Sequence, residues 1–343
     1  MTQRVRVCMI GAGRVGKLHS GTIRRYVPGA DVVAIVDPAV DIRNETATEF
    51  GIAAQYDTLE EALDKSDFDA VIITTPTFTH CDLTVMAAEQ GKHIFCEKPM
   101  ALTLAECDTM IDVCERNGVL LQIGFMRRFD PEFVYAAQLI HDGAIGEVMQ
   151  VKSLTHGPGL PPMWANDITR SNGMLAEVNS HDLDCVRWLA QSNIQRIYLE
   201  TANFKGEERG VPFENFYDTM FATLRFESGA LGNISGVCPC DYGYDARVEI
   251  IGKKGIMQIG QMQGKAVTVC VDREQGLITP MYKRWQERFA NAYVNEMHHF
   301  VDCIQAGTAP RVTGEDGRWA VAGVIAGTKS LLEKRPVHLE EVL

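Results

Sequence analysis

The stretch VRVCMIGAGRVGKLHSGTIRRY, Val5 to Tyr26, decides the architecture of the first part of the chain. An apolar, β-branched run leads into Gly11-Ala12-Gly13-Arg14-Val15-Gly16, and the residues beyond read as a helix. The hexapeptide matches GxGxxG. Glycine is common, so the pattern alone is weak, and its place between a strand and a helix gives it meaning. Gly11 permits the tight turn, Gly13 lets the backbone approach a pyrophosphate, and Gly16 allows close helix–strand packing. The free N–H groups and positive dipole end of the helix then face the phosphates. Residues Gly11 to Gly16, with Ala12, Arg14 and Val15 among them, are therefore expected to hold a dinucleotide.

The next apolar run, ADVVAIVDP, ends in Asp37, about twenty residues beyond the glycines. A carboxylate there accepts hydrogen bonds from both adenosine ribose hydroxyls and repels the extra phosphate of NADP, which favours NAD. Pro38, and the lack of an arginine directly after Asp37, point the same way. A helical TLEEALDKSD leads into the buried-strand signature FDAVIITTPTFTH, which breaks at Thr75-Pro76-Thr77 and runs to His80. Helix LTVMAAEQG ends at Gly91, and strand HIFCEKPM delivers Glu97-Lys98-Pro99 to the same edge. Alternating strands and helices imply a doubly wound parallel sheet with its ligand edge at the strands' carboxyl ends. A lysine after a strand is ordinarily solvated. At this edge, however, the Lys98 ammonium could hold a substrate hydroxyl and stabilise the alkoxide that precedes hydride loss.

From about Met126 the rhythm changes. GFMRRFDPEFVYAAQLIHDGAIGEV reads as a turn, a helix and a glycine-rich exit, and VMQVKSLT as a strand. Downstream, DTMFATLRFESGALGNISGVC alternates about Ser228-Gly229, and VEIIGKKGIMQIG does so about Lys253-Lys254-Gly255, as hairpins do. WAVAGVIAGTKSLLEKRP reads as a closing helix stopped at Pro336. The expected fold is α/β. It comprises an N-terminal Rossmann domain over residues 1–125, binding NAD, and a C-terminal α+β domain over 126–343 with an open, mainly antiparallel sheet. The second domain is expected to bind substrate and to mediate oligomerisation through a free sheet face.

Composition bounds the function. The 343 residues carry 46% hydrophobic and 23% charged residues, as in ordinary globular proteins. A formal net charge of −12 argues against a nucleic-acid binder. No apolar run has the length of a membrane span, and the start MTQRVRVCMIG has no secretory h-region. Ten cysteines lack a repeated spacing, and Cys238-Pro239-Cys240 is too close for CxxC chemistry. Reduced thiols in a cytoplasmic protein are the expectation.

The run GMLAEVNSHDLDCVRWL, Gly173 to Leu189, otherwise reads as a helix and places Glu177 and His181 at i and i+4. Such a pair can be half of a metal site, a catalytic acid–base pair or an ordinary helix pair. Zinc needs a third and usually a fourth ligand, and none is offered at a matching spacing, so no metal is expected.

The ordered set GAGRVG, Asp37, TTPTFTH, EKP, GFMRRFDP and the Glu–His segment resembles the glucose–fructose oxidoreductase / inositol dehydrogenase / MocA family over nearly the whole chain. GFMRRFDPEF, Tyr242-Gly243-Tyr244-Asp245 and RFANAYVNEMHHFVDCIQAG are most similar to its inositol 2-dehydrogenase branch. The resemblance implies NAD-dependent oxidation of a secondary alcohol on a cyclic polyol or sugar, and the free sheet face implies assembly as a dimer or homotetramer. The resemblance places Lys98, Glu177 and His181 around the reacting carbon, with His181 as general base. It implies substrate contacts from Arg127 and Tyr244; Trp164, placed to stack on a sugar face, and His156, Asn179 and Tyr242 are further candidate substrate contacts. Cofactor contacts follow from Thr75, Pro76, Thr77, His80, Glu97 and Lys98, besides the glycine loop and Asp37. The chain departs from the family at three places: Glu177 replaces the usual Asp, Asn172-Gly173 replaces Gly-Gly, and His156-Gly157-Pro158 replaces Arg-Asp-Pro. A pyranose, glycoside or sugar acid is thus an alternative substrate, and a non-catalytic NAD-bound sensor is an alternative of another class.

Overall fold

The computed structural model describes residues 4–206, 208–211, 215–264, 269–270, 277–278 and 280–343. The chain divides into two compact units, Met1–Asp130 with Asn291–Val321, and Pro131–Ala290 with Ala322–Leu343.

In the first unit, six parallel strands are β1 (Val5–Ile10), β2 (Ala30–Val36), β3 (Ala54–Tyr56), β4 (Ala70–Ile73), β5 (His93–Cys96) and β6 (Leu121–Ile123). Between them run helices α1 (Arg14–Tyr26), α2 (Val40–Phe50), α3 (Leu59–Lys65), α4 (His80–Glu89) and α5 (Leu104–Asn117). The strand order β3-β2-β1-β4-β5-β6 is that of a doubly wound Rossmann sheet. Strand β4, AVII, is buried at every residue, because helices cover both faces of a parallel sheet. Helix α5 starts with a capping box between Thr103 and Glu106 and stops at Gly118 with a φ of 65°.

The second unit opens with α6 (Pro131–His141), β7 (Val148–His156), α7 (Ile168–Ser171), α8 (Gly173–Glu177) and α9 (Ser180–Ala190). Strands β8 (Ile194–Ala202), β9 (Thr219–Phe226), β10 (Leu231–Val237), β11 (Asp245–Gly252) and β12 (Gly255–Ile259) follow. The small pair β13 (Val269–Cys270) and β14 (Leu277–Ile278), the short α10 (Trp285–Arg288) and the terminal β15 (Val337–His338) complete it. The sheet runs β12-β11-β7-β10-β9-β8-β15. It is mainly antiparallel, β10 with β7 being the one parallel neighbour pair among the described residues. Residues alternate along β7: Val151, Ser153 and Thr155 are buried, while Lys152, Leu154 and His156 are less so. Helix α9 packs on the face that carries Ser153 and Thr155.

The chain then returns to the first unit through α11 (Ala290–Ala306) and the start of α12 (Gly314–Glu333). Met297, Phe300 and Val301 of α11 belong to the same core as Val7, Met9, Ile35, Ile72 and Phe95. The Phe300 ring stands edge-on to Phe95 at 5.8 Å. Helix α12 starts at Gly314, ahead of the Trp319 start expected from the sequence, because Thr313 caps it: its Oγ1 accepts from the Asp316 amide at 3.4 Å and its own amide donates to Asp316 Oδ2 at 3.1 Å. A Cβ at Gly314 would lie 2.7 Å from Ile111 Cγ1, and one at Gly317 would lie 2.7 Å from Met100 Sδ. Among the described residues, no helix is long and apolar enough to cross a membrane.

We propose that α11 is an integral part of the first folding unit. Phe300→Ala is expected to cost about 3–5 kcal/mol of that unit's stability in chemical denaturation, as for other buried aromatic truncations. A loss below about 1 kcal/mol would mean that α11 is peripheral to it.

Candidate functional site: a dinucleotide cradle and a histidine turn

The glycine loop is shaped by contact with its own backbone. Gly11 has a φ of 98°, and a Cβ at Gly16 would lie 1.9 Å from the Gly11 carbonyl oxygen. At Gly13, by contrast, a Cβ would meet nothing within 4 Å, so this side of the loop is open to an approaching group. Helix α1 begins there without a side-chain cap, leaving N–H groups for an anion. The Thr74 hydroxyl lies 3.0 Å from the carbonyl oxygens of both Ile10 and Gly11, and donates to them. Asp37 Oδ2 accepts from the Ala12 amide at 2.7 Å and Oδ1 from the Ala39 amide at 2.8 Å. Each carboxylate oxygen keeps a lone pair for a ribose hydroxyl. An open glycine, an uncapped helix start and an acid at the end of β2 together fit NAD, and Gly11, Gly13, Gly16 and Asp37 are the residues that would hold it.

Thr75, Pro76 and Thr77 follow β4 at the same edge. Thr75 Oγ1 and Thr79 Oγ1 lie 2.7 Å apart, and Thr79 donates to the Pro76 carbonyl at 2.8 Å. His80, expected to touch the cofactor, is a buried brace. Its Nδ1 is 2.9 Å from the Pro99 carbonyl oxygen and its Nε2 2.9 Å from that of Thr75. Burial pulls its pKa below the ordinary imidazole value, and the two carbonyls oppose that shift. The ring so links the turn after β4 to the Glu97-Lys98-Pro99 turn after β5.

Beneath Lys98 lies a polar cluster that the sequence reading missed. Glu97 Oε1 meets His19 Nε2 at 2.7 Å, and Glu97 Oε2 accepts from the Lys98 amide at 3.2 Å. The His19 ring is fully buried and stands edge-on to Phe95 at 5.3 Å and to Tyr293 at 5.7 Å. One turn beyond Tyr293, Glu296 is also fully buried, and neither carboxyl oxygen has a hydrogen-bond partner among the described residues. Its backbone carbonyl accepts from Gln122 at 3.4 Å. Burial holds the Glu296 carboxyl well above the ordinary range, and the negative charge of Glu97 adds to this. The signal was present in the sequence, because Glu296 falls on the stripe of Ala292, Tyr293, Met297 and Phe300. Arg127 and Arg128, in the turn Met126–Phe129, are buried too, and Arg128 pairs with Asp316 at 3.0 Å.

In the second unit the segment expected as one helix is two. After Asn172 and Gly173, both at positive φ, α8 ends at Glu177, and α9 begins at Ser180. Val178 and the Asn179 amide both donate to the Met174 carbonyl, which closes the first helix. Glu177 and His181 therefore do not share a continuous helical face, and the i,i+4 argument does not apply to them. What fixes the second helix is Asp182. Its carboxylate, 0% exposed, accepts from Ser153 Oγ at 2.5 Å, Thr155 Oγ1 at 2.6 Å and Asn179 Nδ2 at 2.8 Å. The first turn of α9, with His181, is thereby bolted to β7. Asn179, expected to touch substrate, is a buried part of this anchor, packed so closely that a Cβ at Gly236 would lie 2.4 Å from its Oδ1.

His156 is another residue expected to touch substrate. It lies on the face of β7 opposite Asp182, because side chains alternate along a strand and Thr155 points toward α9. His156 Nε2 is 3.0 Å from Ser235 Oγ, and its Nδ1 meets the Tyr242 hydroxyl. Tyr242 also donates to Asp245, which pairs with Arg247 at 2.7 Å. Burial lowers the His156 pKa and raises that of Tyr242. Tyr244 is buried with its ring edge-on to Phe289 at 6.2 Å, and Trp164 lies half-buried in the turn Met163–Asn166.

This geometry defines a nucleotide-binding α/β oxidoreductase, and comparison with known proteins gives the family. The model described as "Oxidoreductase family, NAD-binding Rossmann fold" matches residues 5–125, and that described as "Oxidoreductase family, C-terminal alpha/beta domain" matches 137–339. The chain belongs to this glucose–fructose oxidoreductase / inositol dehydrogenase / MocA family and is an NAD-dependent oxidoreductase. It is 35% identical to scyllo-inositol 2-dehydrogenase (NAD(+)) of Bacillus subtilis over 99% of this chain and 98% of that protein. It is 34% identical to myo-inositol 2-dehydrogenase of Thermotoga maritima, over 99% and 100%. The crystal structure of scyllo-inositol dehydrogenase from Lactobacillus casei with bound NAD(H) and scyllo-inositol superimposes with a TM-score of 0.89. The identity to that protein is 26%, over 98% of this chain and 100% of that one.

The Glu296 environment sets a pH dependence. Its folded pKa lies above the unfolded one, so its contribution to stability is full below the unfolded value and is lost as pH rises toward the folded value. Urea denaturation at about pH 5 and about pH 8 should show Glu296→Gln losing less stability across that interval than the unmodified protein. Equal losses would mean that Glu296 is not held protonated.

Proposed function

We propose that this protein oxidises a secondary ring hydroxyl of a cyclic polyol of the inositol class to the ketone, passing the hydride to NAD. The observation that carries the reading is the full-length similarity to proteins named inositol 2-dehydrogenases. Bound NAD supplies the hydride acceptor. The chain supplies the remainder: Lys98 holds the substrate hydroxyl and offsets developing alkoxide charge, and His181 takes the hydroxyl proton. An imidazole suits this step because its ordinary pKa lies near neutrality. Glu177 fixes the polyol by a hydroxyl away from the reacting carbon, with Arg127, Trp164 and Tyr244 as further contacts. His80 and Asn179 brace the two turns, and His156 and Tyr242 organise the outer sheet face. The reading extends to an NAD-binding domain whose N-terminal part ends near residue 125, with α11 returning to it, and to a reducing, cytoplasmic setting, which is consistent with nine unbridged cysteines among the described residues.

The same outer face supports self-association as a dimer or tetramer. Phe221 and Leu231 are 56% and 46% exposed there. They adjoin a shallow cleft of about 410 Å³ lined by Lys152, Asn233, Ser235, Arg247 and Gln258. A second copy of the chain is the occupant this face fits, since antiparallel sheets commonly leave one face open. Sedimentation at micromolar concentration should give a dimer or tetramer, and Phe221→Glu should dissociate it. A monomer throughout would contradict this arrangement.

Absorbance of NADH, followed over a panel of inositols, pyranoses, glycosides and sugar acids, tests the activity. Inositols should be oxidised most efficiently, and activity on a pyranose alone would reassign the substrate. Lys98→Met and His181→Ala should each reduce turnover by about 10²-fold or more, the lower end for general acid–base groups. Unchanged turnover in either variant would remove that residue from the mechanism.

A further inference from the structure

Next to the ribose-binding carboxylate sits a cation that the cofactor reading does not use. Arg43, in the first turns of α2, is 9% exposed. Its NH1 donates to the Asp37 carbonyl at 2.7 Å, to the Tyr56 carbonyl at 2.9 Å and to the Asp57 carboxylate. Its Nε has no hydrogen-bond partner among the described residues. The guanidinium thus lies at the carboxyl ends of β2 and β3, bonded to the backbone of the very residue whose side chain would meet the ribose. In Rossmann sheets an arginine near this point accommodates the 2′-phosphate of NADP. Here that charge is already matched by Asp57, whose side chain is 62% exposed.

We propose that NAD selectivity rests on two carboxylates: Asp37 excludes the 2′-phosphate, and Asp57 neutralises Arg43, a latent phosphate-binding group. Removing Asp37 alone relieves the repulsion but leaves the guanidinium with an anionic partner. Removing Asp57 as well leaves Arg43 facing only neutral carbonyls among the contacts above, and a phosphate dianion becomes its best counter-charge. Asp57 is then a specificity-determining residue that touches no part of NAD itself.

The test is binding of NADH and NADPH to the full chain, read by fluorescence titration without any polyol. Its failure is thereby distinct from failure of the substrate assignment. Asp57→Asn alone should keep NADH affinity, which also reports an intact cradle. Asp37→Ser should weaken NADH and shift the NADH/NADPH preference toward NADPH. The double variant should bind NADPH about tenfold or more tighter than Asp37→Ser, the worth of one charge-assisted contact. That gain should vanish on adding Arg43→Gln. Should the triple variant misfold, loss of the gain in high salt reads the same charge. A double variant no better than Asp37→Ser for NADPH overturns the proposal, as does a gain that survives without Arg43.

Discussion

A side-chain carbon at residue 16 would stand 1.9 Å from the carbonyl oxygen of Gly11, and no L-residue other than glycine can occupy that place without moving the helix. Much of the first unit follows from this approach of backbone to backbone. Helix α1 starts directly over the carboxyl end of β1, so its uncapped N–H groups point where a pyrophosphate would lie. Thr74 closes the loop from the β4 side and Asp37 from the β2 side. Arg43 joins β2 to β3 through the carbonyls of Asp37 and Tyr56. The cradle is thus a chain of short polar contacts that begins at one steric constraint.

What the sequence reveals is what local spacing encodes. Strand–glycine–helix order, the acid after β2, and the apolar strands that alternate with helices depend on near neighbours, so the Rossmann sheet could be read directly. The break at Val178–Asn179 could not. Apolar spacing runs through it, and the second helix is anchored separately, at Asp182, by hydroxyls of Ser153 and Thr155 that lie far away in the chain. The face on which His156 lies was hidden for a related reason. Alternation gives two sets of residues on a strand, but only the packed helix says which set is covered, and a one-residue slip exchanges them. An amphipathic α11 likewise cannot announce which sheet it covers, and here it returns to the first.

The two units bury polar groups in a parallel way. Lys98 follows Glu97, a buried carboxylate held by His19, and His181 precedes Asp182, a buried carboxylate held by two hydroxyls and an amide. A buried polar network admits few arrangements, because most alternatives leave further donors or acceptors unpaired. Apolar packing of similar volume tolerates many more. Each proposed reacting side chain is therefore attached, by one peptide bond, to a residue whose place is tightly specified.

Glu177 has no such neighbour. It is the last residue of α8, between Ala176 and Val178, where the chain leaves one helix before α9 is secured. Its backbone is placed by the closure of α8 on the Met174 carbonyl. This position is also where this chain carries Glu in place of the Asp usual in the family, and where a polyol's remaining hydroxyls would be distinguished. In the proposed reading, Lys98 and His181 carry the chemistry beside these fixed neighbours, and Glu177, at the break, bears on the choice of ring.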